Sequence, residues 1–257
     1  MMLETEYSRG ATMKDRDGAS CPISFKCHLA DLCLAKQKAG APINKIIRVG
    51  RGDFLYRDHT DRKNTYVILN GLMAMSAIDK KGGKVTMGIF GRGNALGETE
   101  PFARNYRAEY LLTAYTECDL CKIPASTIIR ATEENPRFAL KLIDSTNFNY
   151  NIMNRQIWML STMSLKERIH RLFLNIAWLC PRTDKGFLVE LTHDDIARLV
   201  CSERTSVTHA LKKLEQEGCI ELRYRAVMLS PDYHDAEIND DLVPYPTWLF
   251  PNTGQEK

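Results

Sequence analysis

The sequence predicts an α+β protein: a β-rich N-terminal half, one long helix, and a winged helix-turn-helix at the C-terminal end. Three observations carry this. Residues 191–229, LTHDDIARLVCSERTSVTHALKKLEQEGCIELRYRAVML, read as two short amphipathic helices across a tight turn, then a small hairpin. Residues 44–124 break into short β-rich runs separated by glycines and charged turns. Between them, from Pro136 to about Met163, lies a long helical stretch.

Taken in order, residues 1–20 are polar and read as disordered, and residues 21–40 carry a cysteine cluster on a short helical pattern. Runs at Ile46–Val49, Thr65–Leu69, Met73–Ile78, Val85–Ile89 and Ala108–Ala114 read as strands, with DKKGGK at 79–84 as a hairpin turn. Many short strands at close intervals suggest a sandwich, roll or barrel. Ala125–Glu134 reads as a short helix. In the long helix that follows, Phe138, Leu142, Ile152, Met153, Ile157 and Leu160 recur at three- and four-residue intervals, interrupted by Asn149 and Tyr150. That stripe fits either a dimerisation seam or a helix packed on the β-domain. Ser164 and Glu167 form a capping box for a further helix to Leu179, with Ile169, Leu172, Phe173 and Ile176 inward. Pro181 and Gly186 mark the link onward. The divisions expected are 1–40, 41–134, 135–163, 164–234 and a tail at 235–257 that is acidic and then aromatic.

Within the helix-turn-helix each boundary has its own signal. Thr192 caps the first helix with Asp195 three residues on, and Ile196, Leu199 and Val200 form its apolar face; Ala197 is small where the helices approach. Ser202 is the expected N-cap of the second helix, Val207, Leu211 and Leu214 face inward, and Gly218 ends it. The second helix of such a unit enters the major groove of duplex DNA, so its outer residues are the candidate contacts: Ser202, Glu203, Arg204, Thr205, Ser206, Thr208, His209 and Lys212. Arg204 is the candidate for a bidentate bond to guanine. Lys212, Lys213, Arg223 and Arg225 suit phosphates, and Cys219–Leu222 with Ala226–Leu229 would form the wing.

Composition bounds the rest. At 257 residues, 44% hydrophobic and 26% charged, the chain has the make-up of a globular protein with room for two cores. No apolar run reaches membrane-spanning length and the start resembles neither signal nor transit peptide, so a cytoplasmic protein is expected. Net charge is only +3, and residues 198–225 hold six basic against four acidic side chains. One copy should bind DNA weakly and a homodimer on paired half-sites should be the working form. Ser/His/Asp, phosphate-loop and HExxH patterns are missing from the sequence, so an enzyme is not expected.

NTYVILNGLMAMSAIDKKGGKVTMGIFGRGNALGE at 64–98, CKIP at 121–124, MSLKERIHRLFLNIA at 163–177 and the helix-turn-helix resemble the CRP/FNR family of bacterial transcription regulators. The resemblance covers about 44 to 230. It implies a cyclic-nucleotide-binding-like β-roll, dimerisation through the long helix, and promoter binding beside RNA polymerase. Arg204 matches the arginine of many members; Thr205 stands where glutamate is common, His209 where arginine is common, and Cys201 in place of the turn glycine.

Eight cysteines in a cytoplasmic chain suggest reduced, metal-binding or redox-sensing thiols. Cys21, Cys27 and Cys33, with the distant Cys121, resemble the oxygen-sensing FNR branch and imply a [4Fe–4S] cluster as the leading signal, Cys118 being a substitute for Cys121. Thiol oxidation is an alternative. Gly97-Glu98 and Arg107-Ala108 resemble the family's phosphate-binding cassette, in which the carboxylate takes a ribose hydroxyl and the arginine the cyclic phosphate. A cyclic nucleotide or another small effector is therefore the second alternative, although Thr99-Glu100-Pro101 replaces the usual apolar residues.

Overall fold

The computed structural model describes residues 27, 29–30, 32, 45–55, 64–78, 83–102, 110–177, 180, 182–231 and 233. The readings of residues 1–20 and of the tail, and the contributions of Cys21, Cys33, Arg107 and Ala108, lie outside them.

Among the described residues, seven strands build the N-terminal unit: β1 (Lys45–Val49), β2 (Asn64–Asn70), β3 (Met73–Ile78), β4 (Lys84–Phe90), β5 (Ala95–Leu96), β6 (Tyr110–Ala114) and β7 (Cys118–Pro124), with a 3-10 turn at Glu100–Phe102. They form an antiparallel four-stranded sheet, β1-β7-β2-β5, and an antiparallel three-stranded sheet, β4-β3-β6. Tyr66, Ile68, Met73, Phe90, Leu112 and Leu120 fill the space between them. β5 and β7 are additions to the strands read from the sequence. β7 has both faces buried, Cys118 and Leu120 on the interior and Cys121 and Ile123 on the opposite side, so its sequence lacks a polar alternation to announce it. Gly71, at φ +97, joins β2 to β3; a Cβ there would lie 2.4 Å from Glu117 O.

Helix α1 (Ala125–Glu134) and the 27-residue α2 (Pro136–Thr162) follow. Asn135 caps α2, its side chain accepting from Arg137 N, with Pro136 at the first helical position. The apolar stripe of α2 divides: Phe138 and Leu142 cover the outer side of the first sheet with Ile128, while Phe148 and Ile152 close the interior of the roll.

The C-terminal unit holds α3 (Leu165–Ala177), β8 (Arg182–Thr183), β9 (Gly186–Val189), α4 (His193–Leu199), α5 (Arg204–Gln216), β10 (Ile220–Arg223) and β11 (Ala226–Leu229). The Ser164–Glu167 box forms, Ser164 N donating to Glu167 Oε2 at 2.7 Å. β8 and β9 occupy what reads in sequence as a link, giving an antiparallel sheet β10-β11-β9-β8 in place of a lone hairpin. Gly186 makes this fit: at φ +126 its missing Cβ leaves room for Leu229 O, which a Cβ would approach to 1.8 Å. One apolar cluster joins Ile169 and Phe173 of α3, Ile196 and Leu199 of α4, and Val207 and Leu211 of α5, and it takes in Leu72, Ala74 and Tyr115 of the roll. Among the described residues no helix is long and apolar enough to cross a membrane.

Candidate nucleic-acid interface and sensor site

Helix α4 begins as its local chemistry requires. Thr192 Oγ1 accepts from Asp195 N while Asp195 accepts from Thr192 N at 2.9 Å, a reciprocal box that satisfies two orphan donors. The turn then needs a left-handed residue, and Cys201 supplies it at φ 51, where glycine is the usual occupant.

Helix α5 starts later than its sequence suggests. Its N-cap is Glu203, with no side-chain cap, and half-buried Ser202 is one residue too early for the role. The amides of the first turn are therefore without a capping side chain, which suits a phosphate. Val207, Leu211 and Leu214 are buried, and Gly218 closes the helix at φ 76. Glu203, Arg204, Thr205, Ser206, His209 and Lys212 form the exposed outer face. Thr208 is half-buried and engaged: its hydroxyl donates to Arg204 O and lies 3.0 Å from His193 Nδ1. Burial, then the charges of Arg204 and Lys212, hold the His193 imidazole below its ordinary pKa.

The wing departs from the sequence reading by one residue. Arg223, expected to meet phosphate, instead donates through Nε and Nη2 to both oxygens of Glu221, so its charge is countered within the strand. Tyr224, absent from the sequence-derived candidates, stands at the tip 92% exposed beside Arg225. A lone aromatic between two arginines was the signal for it.

On α2 the buried stripe accounts for Phe138, Leu142 and Ile152, whereas Met153 and Leu160 are half-buried. A second row is exposed: Leu140, Ile143, Asn147, Tyr150, Asn154, Ile157 and Ser161, at alternating steps of three and four. Of the residues read as a seam, Ile157 alone belongs to this row.

Near the roll's entrance Gly97 adopts φ 74 and Thr65 Oγ1 donates to its carbonyl. Glu98, 4% exposed, accepts from Asn149 Nδ2 at 2.8 Å; the same amide donates to Ala95 O at 2.6 Å. Burial raises the Glu98 carboxyl to about 7, against the pull of its hydrogen bonds. Asn149 is thus no flaw in the apolar stripe but the residue that ties the long helix to the cassette. The Tyr110 hydroxyl donates to Glu100, turning that carboxylate away from the role of a bare anion. A cavity of about 340 Å³ opens beside Glu98, walled by Thr99, Phe102, Leu142, Ile143 and Thr146.

Two candidate cluster ligands are described. Half-buried Cys27 packs on the apolar group that contains Leu29, Leu32 and Cys121. Cys118 cannot replace Cys121: three residues away on one strand, it points to the opposite face, where Sγ donates to Leu72 O and burial pushes the thiol up to about 11. Among the described residues no three His, Cys, Asp or Glu side chains converge as metal ligands.

Comparison with known proteins agrees with this architecture. Residues 46–135 match the cyclic nucleotide-binding domain and residues 167–233 the Crp-like helix-turn-helix domain. The chain is 26% identical over 170 residues to the transcriptional regulator SdrP of Thermus thermophilus, covering 65% of this chain and 80% of that protein. It is 20% identical over 166 residues to the cAMP-activated global transcriptional regulator CRP of Salmonella typhimurium, covering 64% and 79%. Among solved structures, a CRP-family transcriptional regulator from Thermus thermophilus superposes with a TM-score of 0.61 at 25% identity, over 72% of this chain and 91% of that one. FixK2 from Bradyrhizobium japonicum does so with 0.63 at 14% identity, over 76% and 98%, and speaks for the fold.

Proposed function

The chain belongs to the CRP/FNR family of DNA-binding transcription regulators, and from that premise we propose that it works as a cytoplasmic homodimer whose two α5 helices enter successive major grooves of a promoter, beside RNA polymerase. The observation that carries this is the outer face of α5: Arg204, Thr205, Ser206, His209 and Lys212 are exposed on a helix whose apolar side is fully buried. Arg204 reads guanine, and Thr205, Ser206 and His209 meet neighbouring bases or phosphates. The exposed row of α2 supplies the pairing surface. In heptad terms Ile143, Tyr150 and Ile157 take the d positions and Leu140, Asn147, Asn154 and Ser161 the a positions; polar a-layers favour a parallel pair in a single register. Anisotropy with a promoter duplex at two salt concentrations tests the reading. Affinity should fall steeply with salt, and a protein whose affinity for promoter DNA equals that for random duplex would end it.

For the signal we propose a [4Fe–4S] cluster held by Cys21, Cys27, Cys33 and Cys121. Support comes from Cys27 and Cys121 bordering one apolar group, which is the dry surrounding such a centre requires. When bound, the cluster supplies an oxygen-labile redox centre. Protein purified without oxygen should be brown and contain iron and sulfide, and colourless, iron-free material would count against it. A second reading, control by a small effector such as a cyclic nucleotide, is favoured by the cavity beside Glu98 and by the domain match at 46–135. Calorimetric titration with cyclic AMP separates the two.

A further inference from the structure

We propose that Arg51, Thr86 and Gln156 are positioning residues for DNA binding: from the roll and the long helix they hold both ends of α4 and thereby set the direction in which α5 is presented. The inference rests on the dimer reading above.

A helix leaves its last carbonyls without partners in its own backbone. On α4 side chains from three other elements bond the last carbonyls, Arg198 O accepting from Cys201 N at 3.3 Å as well. Thr86 Oγ1 of β4 donates to Arg198 O at 2.8 Å, Gln156 Nε2 of α2 donates to Leu199 O at 3.0 Å, and Arg168 Nη1 of α3 donates to Val200 O at 2.8 Å. Two of these donors are buried polar groups in otherwise apolar surroundings, Thr86 at 2% and Gln156 at 6% exposure, and their hydrogen bonds run across the boundary between the two units. The opposite end of α4 is held from the roll as well. Arg51, in the turn after β1, donates through Nη1 to Glu190 O at 2.9 Å and pairs through Nη2 with Asp195, the same carboxylate that caps the helix.

Two anchors on a helix of seven residues fix its axis, not merely its location. Helix α5 shares the apolar cluster of α4 through Val207 and Leu211, so it follows that axis. Its outer face stays exposed in this docked arrangement, which makes the arrangement one that presents α5 rather than hides it. Gln156 lies between Ile152 and Met159 on the buried stripe of α2, while Asn154 and Ile157 beside it belong to the exposed row. One helix thus carries the pairing surface and the grip on α4, which relates α5 to the dimer axis. None of the three residues is on α5.

The variants Arg51→Ala, Thr86→Val and Gln156→Met remove the donors with little change of volume at the buried sites, and Thr86→Ser keeps the hydroxyl. The probes are a paired-half-site duplex selected from a random library by the wild-type protein, and the same duplex with one half-site scrambled. Misaimed helices still bind one half-site but cannot engage both without strain. The preference for the paired duplex should therefore fall about tenfold in the three variants, with single-half-site affinity unchanged and Thr86→Ser like wild type. Variants that keep the wild-type preference, or that lose affinity for both duplexes equally, would overturn the proposal. A wild-type protein with no preference for the paired duplex would instead sink the dimer reading, and this proposal with it.

Discussion

Replacing Glu98 by glutamine tests the polar node between the roll and the long helix. The carboxyl is 4% exposed and rises from its ordinary 4.5 to about 7 because burial penalises its charge more than Asn149 and its other hydrogen bonds relieve it. A difference of about 2.5 pH units corresponds to about 3 kcal/mol against the ionised fold. Below pH 4.5 both folded and unfolded chains carry the proton and no penalty exists. Between 4.5 and 7 the unfolded chain releases it while the folded one retains it, so stability declines as pH rises, and above 7 the penalty is complete. Glutamine carries no charge at any of these pH values and its Oε1 can still accept from Asn149 Nδ2. Glu98→Gln should therefore be about 1–3 kcal/mol more stable than wild type at about pH 8, with the advantage shrinking towards zero at about pH 5. Urea unfolding of both proteins at about pH 5, 6, 7 and 8 measures this. A difference that stays constant across the series, or a variant less stable at the alkaline end, would refute the argument from burial.

Two histidines of the C-terminal unit act in the opposite direction. Burial holds His170, against Tyr233, and His193, near Arg204, below the ordinary value, so their contribution is whole above pH 6.5 and is lost as pH falls below it; His193→Gln should flatten the acid limb of the unfolding curve. Arg204→Ala should lose about 1–3 kcal/mol at the cognate site and relax preference at one base pair, read by anisotropy against operator variants. Ile143→Asp with Ile157→Asp should raise the dimer dissociation constant on the order of a hundredfold in sedimentation equilibrium, about 3 kcal/mol, while the helical spectrum stays intact. Gly186→Ala should cost about 3 kcal/mol in thermal or denaturant unfolding, because a Cβ would meet Leu229 O at 1.8 Å at a φ of +126.

What the amino-acid order determined by itself is what neighbours along the chain decide. The Thr192–Asp195 and Ser164–Glu167 boxes, the cap at Asn135, the stop at Gly218 and the inward faces of α3 to α5 each depend on residues within a turn or two, and their signals stand side by side in the text. The α5 N-terminus is the local exception: Ser202 has the chemistry of a cap, but the turn through Cys201 delays the helix until Glu203 occupies that place. Tertiary structure alone decided the rest. β7 is a strand because the opposing sheet covers one of its faces and helices α1 and α2 the other. Asn149 meets Glu98 across 51 positions, and Arg51 meets Asp195 across 144. The helical period of α2 permits two stripes, and only the position of the roll says which is buried within the chain and which is left exposed. Such pairings are chosen by closing long loops against the gain of burial, a balance that no short window of residues contains.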